Sequence, residues 1–98
     1  MTTVAQTLQR CHEEDRAALI GYLPVGYPDV ETSIAAVVAL AEAGCDIVEI
    51  GVPYSDPLMD GAVIQRAVTE ALARGVRVDD VFAATRAVRD AGAPPLVM

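Results

Sequence analysis

An α/β fold with a parallel sheet is predicted by three observations. Short apolar runs alternate with longer stretches of helical periodicity, each helical stretch after the first run closes at a glycine, and the connections between them are mostly short. Strand, helix, strand, helix, strand in this order implies right-handed crossovers.

The elements follow in chain order. Val4, Leu8 and Cys11 recur at helical spacing and predict a short amphipathic helix ahead of the first strand. Residues 18–23 form a nearly unbroken apolar run bounded by Pro24, Gly26 and Pro28, which predicts a strand buried on both faces. Asp29 is placed to cap the next helix, whose stripe is Ile34, Val37, Val38 and Ala41 and whose end is Gly44. Residues 47–52 read as a second buried strand, interrupted only by Glu49 and Gly51. After a loop from Pro53 to Gly61, the stripe Ile64, Ala67, Val68, Ala71 and Leu72 marks a helix that stops at Gly75. A further helix fits residues 79–91, with Val81, Ala84, Thr85 and Val88 on one face and Gly92 just past its end. Leu96, Val97 and Met98 begin a third strand too short to be a finished sheet edge, and the expectation is a chain that belongs to a longer one. Three strands leave the sheet open, so one of its faces, Ile47 included, is expected to meet water.

Composition narrows the function classes. The 98 residues carry seven arginines, no lysine and 14 acidic side chains, a formal net charge of -7. Such a chain is unsuited to nucleic acid or to an anionic membrane surface, since nothing neutralises a run of phosphates. With 53% hydrophobic and 21% charged residues it has the means to bury a core. The longest uncharged stretch, residues 17–28, is broken by Gly21, Pro24 and Gly26 and falls short of the roughly 20 apolar residues of a membrane span. The first 16 residues are polar and periodic, without the basic and apolar regions of a secretory signal. Cys11, Cys45 and a lone His12 make neither a disulfide scaffold nor a zinc site, and a reducing cytoplasm is the expected location.

Chemistry in parallel α/β folds gathers at the carboxyl ends of the strands. Glu49 lies there, on the face it shares with Ile47 and Gly51, opposite Val48 and Ile50. A carboxylate on an apolar strand suits general acid or base work, and equally a strand-end glutamate that reaches solvent or pairs with an arginine. Asp56 and Asp60 lie in the longest connection of the chain. Asp56 before Pro57 also reads as a helix cap, and Asp60 before Gly61 as a turn residue. Glu49 and Asp60, eleven positions apart at a strand end and in the loop that follows, can face one pocket, where one holds an N–H donor and the other moves protons. Ser55 has no nucleophile elbow and His12 is remote, which argues against a hydrolase triad. The glycines from 21 to 26 lack the lysine of a phosphate loop, and no calcium-loop pattern surrounds the acids, so no metal is assigned. Tyr22, near the end of the first strand, suits either the core or the wall of a pocket for a flat substrate.

Three segments carry a resemblance: residues 23–28 (LPVGYP), 47–57 (IVEIGVPYSDP) and 59–65 (MDGAVIQ). Together they resemble the α subunit of tryptophan synthase, over essentially the whole chain. The resemblance implies a (β/α)8 TIM barrel. Such a barrel takes about 250 residues, so residues 1–98 would be the N-terminal portion of a single TIM-barrel domain, holding the first two βα units and the start of the third strand. It implies a lyase that cleaves indole-3-glycerol phosphate to indole and glyceraldehyde 3-phosphate in tryptophan biosynthesis. Glu49 matches the family's catalytic glutamate and Asp60 the carboxylate that binds the indole N–H. Tyr22 matches an aromatic position of the indole pocket that is often phenylalanine. Pro53 and Asp56 fall in the family's contact region with the β subunit, in a complex of two α and two β subunits. The half-reaction needs no cofactor; pyridoxal phosphate belongs to the β partner. The family's phosphate-binding loops lie later in the barrel, so a non-catalytic piece that at most contacts a partner subunit stands as the alternative, and the chain alone is expected to be inactive.

Overall fold

The computed structural model describes residues 2–97. Its elements are α1 (Val4–Glu13), β1 (Ile20–Pro24), α2 (Val30–Ala43), β2 (Ile47–Gly51), α3 (Ala62–Ala73), α4 (Val78–Asp90) and β3 (Pro95–Val97). Local chemistry explains most of the boundaries. Thr3 Oγ1 accepts the Gln6 N–H at 3.1 Å while Gln6 Oε1 accepts the Thr3 N–H at 3.0 Å, a reciprocal capping box that starts α1. Asp29 caps α2 as expected, its Oδ1 accepting the Thr32 N–H at 2.7 Å, and the helix ends at Gly44 with φ 116°. At the head of α4, the Asp80 carboxylate accepts the Arg77 N–H at 2.8 Å.

The strands form one parallel sheet in the order β1-β2-β3. Tyr22 pairs in register with Glu49, and Glu49 with Leu96. One face is sealed: Val48 and Ile50 of β2 join Val37 of α2 and Val81, Ala84 and Val88 of α4 in a single buried cluster. The other face, the inner one in the expected (β/α)8 arrangement, carries Ile20, Tyr22, Ile47, Glu49 and Leu96.

At the opposite end of the sheet from the chemistry, Arg16 closes a two-pronged ion pair on Asp46, Nη1 and Nη2 each 3.0 Å from a carboxylate oxygen. Asp46, 9% exposed, also accepts the Leu19 N–H at 2.8 Å. These bonds hold its carboxyl well below the usual 3.8, at about 2, with the Arg16 hydrogen bonds the largest cause. The pair ties the chain entering β1 to the start of β2.

Several expectations are corrected. The first strand runs from Ile20, not residue 18, and is an edge of the sheet with only its final residue buried, because β2 is its one hydrogen-bonded neighbour. On α1 the buried residues are Thr7 and Cys11, while Leu8 is 46% exposed. Asp56 caps no helix: its carbonyl instead accepts the Leu58 N–H at 2.9 Å, a tight turn, and α3 begins six residues later behind Gly61. On the inner face Ile20 and Leu96 are 48% and 39% exposed as expected, but Ile47 is 1% exposed, so that face does not leave it open to water. Met98 of the predicted third strand lies outside the described residues.

Candidate active site

The site is built on the carboxyl end of β2. Strand alternation turns Glu49 and Gly51 to the inner face, and register places Tyr22 of β1 beside Glu49. The Tyr22 ring leans one step further along and lies across Gly51, where a Cβ atom would stand 2.8 Å from the ring Cζ. Gly51 is therefore the seat of the aromatic ring. A side chain there would displace it.

Beyond β2 the chain leaves through residues 52–61 and returns as α3, and the two form the rest of the wall. Tyr22, Glu49 and Asp60, with Val52, Tyr54, Ile64 and Val68, line one cavity of about 400 Å³. The structure thus brings the sequence-predicted trio Glu49, Asp60 and Tyr22 to a single pocket. Asp60 is held by its backbone: its N–H donates to the Pro57 carbonyl at 3.2 Å, and its own carbonyl accepts a hydrogen bond from Gln65 Nε2 at 2.8 Å. Burial pushes the Tyr22 phenol up, and the negative charges of Asp60 and Glu49 push the same way. Its hydroxyl stays protonated and able to donate at neutral pH.

The position of α3 depends on the turn after β1. Gly26 sits at φ 101°, its N–H donating to Ser33 Oγ at 2.9 Å, and the space a Cβ would take is filled by Val76 and Ala71 at 2.8 and 3.0 Å. This contact docks the C-terminal end of α3 onto the loop between β1 and α2 and so carries Ile64 and Val68 to the cavity.

Pro53 and Asp56 stand apart from the trio. Pro53 is half-buried beside a second groove with Leu72, Val76 and Val78, and Asp56 is exposed on the loop. Around them the surface is apolar, with Leu58, Met59 and Val63 exposed at 76%, 94% and 81%. Among the described residues no group of three metal-ligating side chains converges, and no helix is long and apolar enough to cross a membrane.

The pocket suits a flat, largely apolar molecule with a polar N–H edge. One carboxylate can exchange protons with it while the other balances positive charge developing on the ring. Sequence reasoning did not single out Tyr54, Val52 or Gln65, and placed Ile64 and Val68 only on a helix stripe.

Comparisons with known proteins identify the family. The family model described as tryptophan synthase alpha chain matches residues 8–98. A tryptophan synthase alpha chain from Mycobacterium avium is 62% identical over 90 residues, covering 92% of this chain and 33% of the relative. One from Mycobacteroides abscessus is 54% identical over 95 residues, covering 97% and 36%. Among solved structures, tryptophan synthase from M. tuberculosis in its aminoacrylate-bound form superposes with a TM-score of 0.94 at 56% identity, over 96% of this chain and 38% of that one. The α subunit of Legionella pneumophila tryptophan synthase gives 0.90 at 33% identity, over 100% and 38%. The chain thus spans about a third of the length of the curated relatives it matches.

Proposed function

Because this chain belongs to the tryptophan synthase alpha chain family, we propose that it supplies the proton-transfer and ring-binding half of a lyase site that cleaves indole-3-glycerol phosphate to indole and glyceraldehyde 3-phosphate. In this reading residues 1–98 are the N-terminal part of one TIM-barrel domain. The observation that carries it is the convergence of Glu49, Asp60 and Tyr22 on one cavity.

The chemistry follows from the two carboxyl groups. Asp60 accepts the indole N–H and stabilises the positive charge that appears when C3 is protonated. Glu49 delivers that proton to C3. A proton is then removed from the hydroxyl on the side-chain carbon next to the ring, with Glu49, now ionised, assisting. The carbon–carbon bond breaks as the oxygen becomes the aldehyde carbonyl, and the bonding pair returns to the ring as indole. One proton enters and one leaves, so no cofactor is required; pyridoxal phosphate serves the β partner. Tyr22, seated on Gly51, forms the wall against which the ring lies.

The loop with Pro53 and Asp56 is assigned to the β subunit. Its exposed Leu58 and Met59, with Val63 at the head of α3, supply the kind of apolar patch that marks a protein interface.

To test the assignment, this chain is joined to the remaining two-thirds of the M. avium relative and indole release is assayed. The chimera should turn over, the 98 residues alone should not, and Glu49→Gln in the chimera should lose about 100-fold to 10,000-fold in kcat. A Glu49→Gln variant within about threefold of its parent, far below that range, removes Glu49 from the mechanism.

A further inference from the structure

Asp60 has the most exacting task in the pocket and the least regular support. It lies in residues 52–61, whose hydrogen bonds are turns such as Leu58 N–H to Asp56 O and Asp60 N–H to Pro57 O. Among the described residues, the one side chain that grips this loop is Gln65, whose Nε2 donates to the Asp60 carbonyl at 2.8 Å in a partly buried bond. Gln65 stands in the first turns of α3, and its own N–H donates to Gly61 O at 2.9 Å. The same helix supplies Ile64 and Val68 to the cavity wall. Gly61 offers no side chain to cap α3, and among the described residues Gln65 makes the one side-chain hydrogen bond between the helix and the loop.

We propose that Gln65 is a positioning residue for Asp60. Its amide fixes the peptide from which the Asp60 side chain departs, and so couples the loop carboxylate to the rigid helix that forms the opposite wall. The residue type fits the task. The acceptor is a carbonyl oxygen, so the partner must donate: an amide can, whereas the carboxylate of a glutamate would oppose it. The inference rests on the role given to Asp60 above, and it adds the group that sets where that carboxylate stands when charge develops on the ring. An interaction of this kind shows in turnover more than in ground-state binding, because misplacement of a reacting group by a fraction of an ångström is felt chiefly in the transition state.

The test uses the same chimera with the M. avium relative, assayed with indole-3-glycerol phosphate. Gln65→Met keeps length and bulk but removes the donor; kcat should fall about tenfold with KM changed less than about twofold. Gln65→Glu should fall at least as far, and Gln65→Lys, which restores an N–H donor of similar reach, should recover to within about threefold. In an Asp60→Ala background, Gln65→Met should change kcat by less than about twofold, because the group it positions is gone. Parental kcat in Gln65→Met alongside a crippled Asp60→Ala overturns this inference alone. So do losses that multiply in the double variant, or a Gln65→Lys chain as impaired as Gln65→Met. Parental kcat in Asp60→Ala overturns instead the reading of the site on which it rests.

Discussion

On β2, Val48 and Ile50 are wholly buried beneath α2 and α4, while Glu49 between them turns to the opposite face and stands half-buried at a cavity. The two faces of one short strand differ in what is missing. The outer face has two helices packed on it, and Val48 and Ile50 there meet apolar partners. The inner face keeps Ile20 and Leu96 partly open and gathers the carboxylate, a phenol and a glycine that makes room for the phenol's ring. Stability and chemistry are thus divided by the alternation of the strand, residue by residue.

That division is broken most severely by exchanging the roles. Glu49→Gln should abolish most turnover while leaving the thermal unfolding midpoint of the chimera within about 2 °C of its parent, because a half-buried amide replaces a half-buried acid of equal size. Its neighbour should behave the other way: Ile50→Ala opens a cavity in a fully buried position and should cost about 2–5 kcal/mol of stability, read from urea unfolding, with kcat of the folded fraction nearly unchanged. If Ile50→Ala instead lowers kcat as steeply as Glu49→Gln, the two faces are not independent.

A smaller effect sharpens the boundary between them. Gly26→Ala puts a Cβ against Val76 and Ala71 at a φ of 101° that L-residues rarely adopt, and should destabilise by about 1–3 kcal/mol. Since this contact also seats α3, KM for the substrate should rise as well. Unchanged KM would show that α3 keeps its place without Gly26.

The smallest effect lies at the far end of the sheet. The Asp46 carboxyl is held down to about 2, below its ordinary 3.8, so the Arg16–Asp46 pair contributes stability that is complete above that ordinary value and is lost as pH falls through about 2. Asp29, lowered by its bonds to Thr32, adds a loss of the same sign. Melting temperature should therefore fall between pH 4 and pH 2, and Asp46→Asn should flatten part of that slope. A slope identical to the parent's would show that the pair adds nothing to stability.

What could be read from the chain was whatever neighbouring residues decide. Asp29 and Gly44 mark the ends of α2 because a cap and a left-handed stop are local events, and Glu49 to Gln65 is a contiguous motif. The Arg16–Asp46 pair joins residues 30 positions apart with nothing between them to announce it. The Tyr22 ring on Gly51 and the arrival of Ile64 and Val68 at the cavity depend on how β1 and α3 meet, a tertiary event. Asp56 misled because an aspartate before proline serves a tight turn as well as a helix start, and the choice is made by the chain that follows.

The order β1-β2-β3 is also the order of synthesis. Among these three strands each pairs with the one made just before it. At roughly 5–20 residues per second, β2 becomes available to β1 within seconds of it, and α2 can cover the first pair before β3 exists. The pairings still span 27 residues from Ile20 to Ile47 and 47 from Val48 to Pro95, the long-range closure that makes parallel sheets slow to form. The same sheet geometry that places Glu49 beside Tyr22 therefore lets that pair form early, with the first two strands, long before any substrate site is complete.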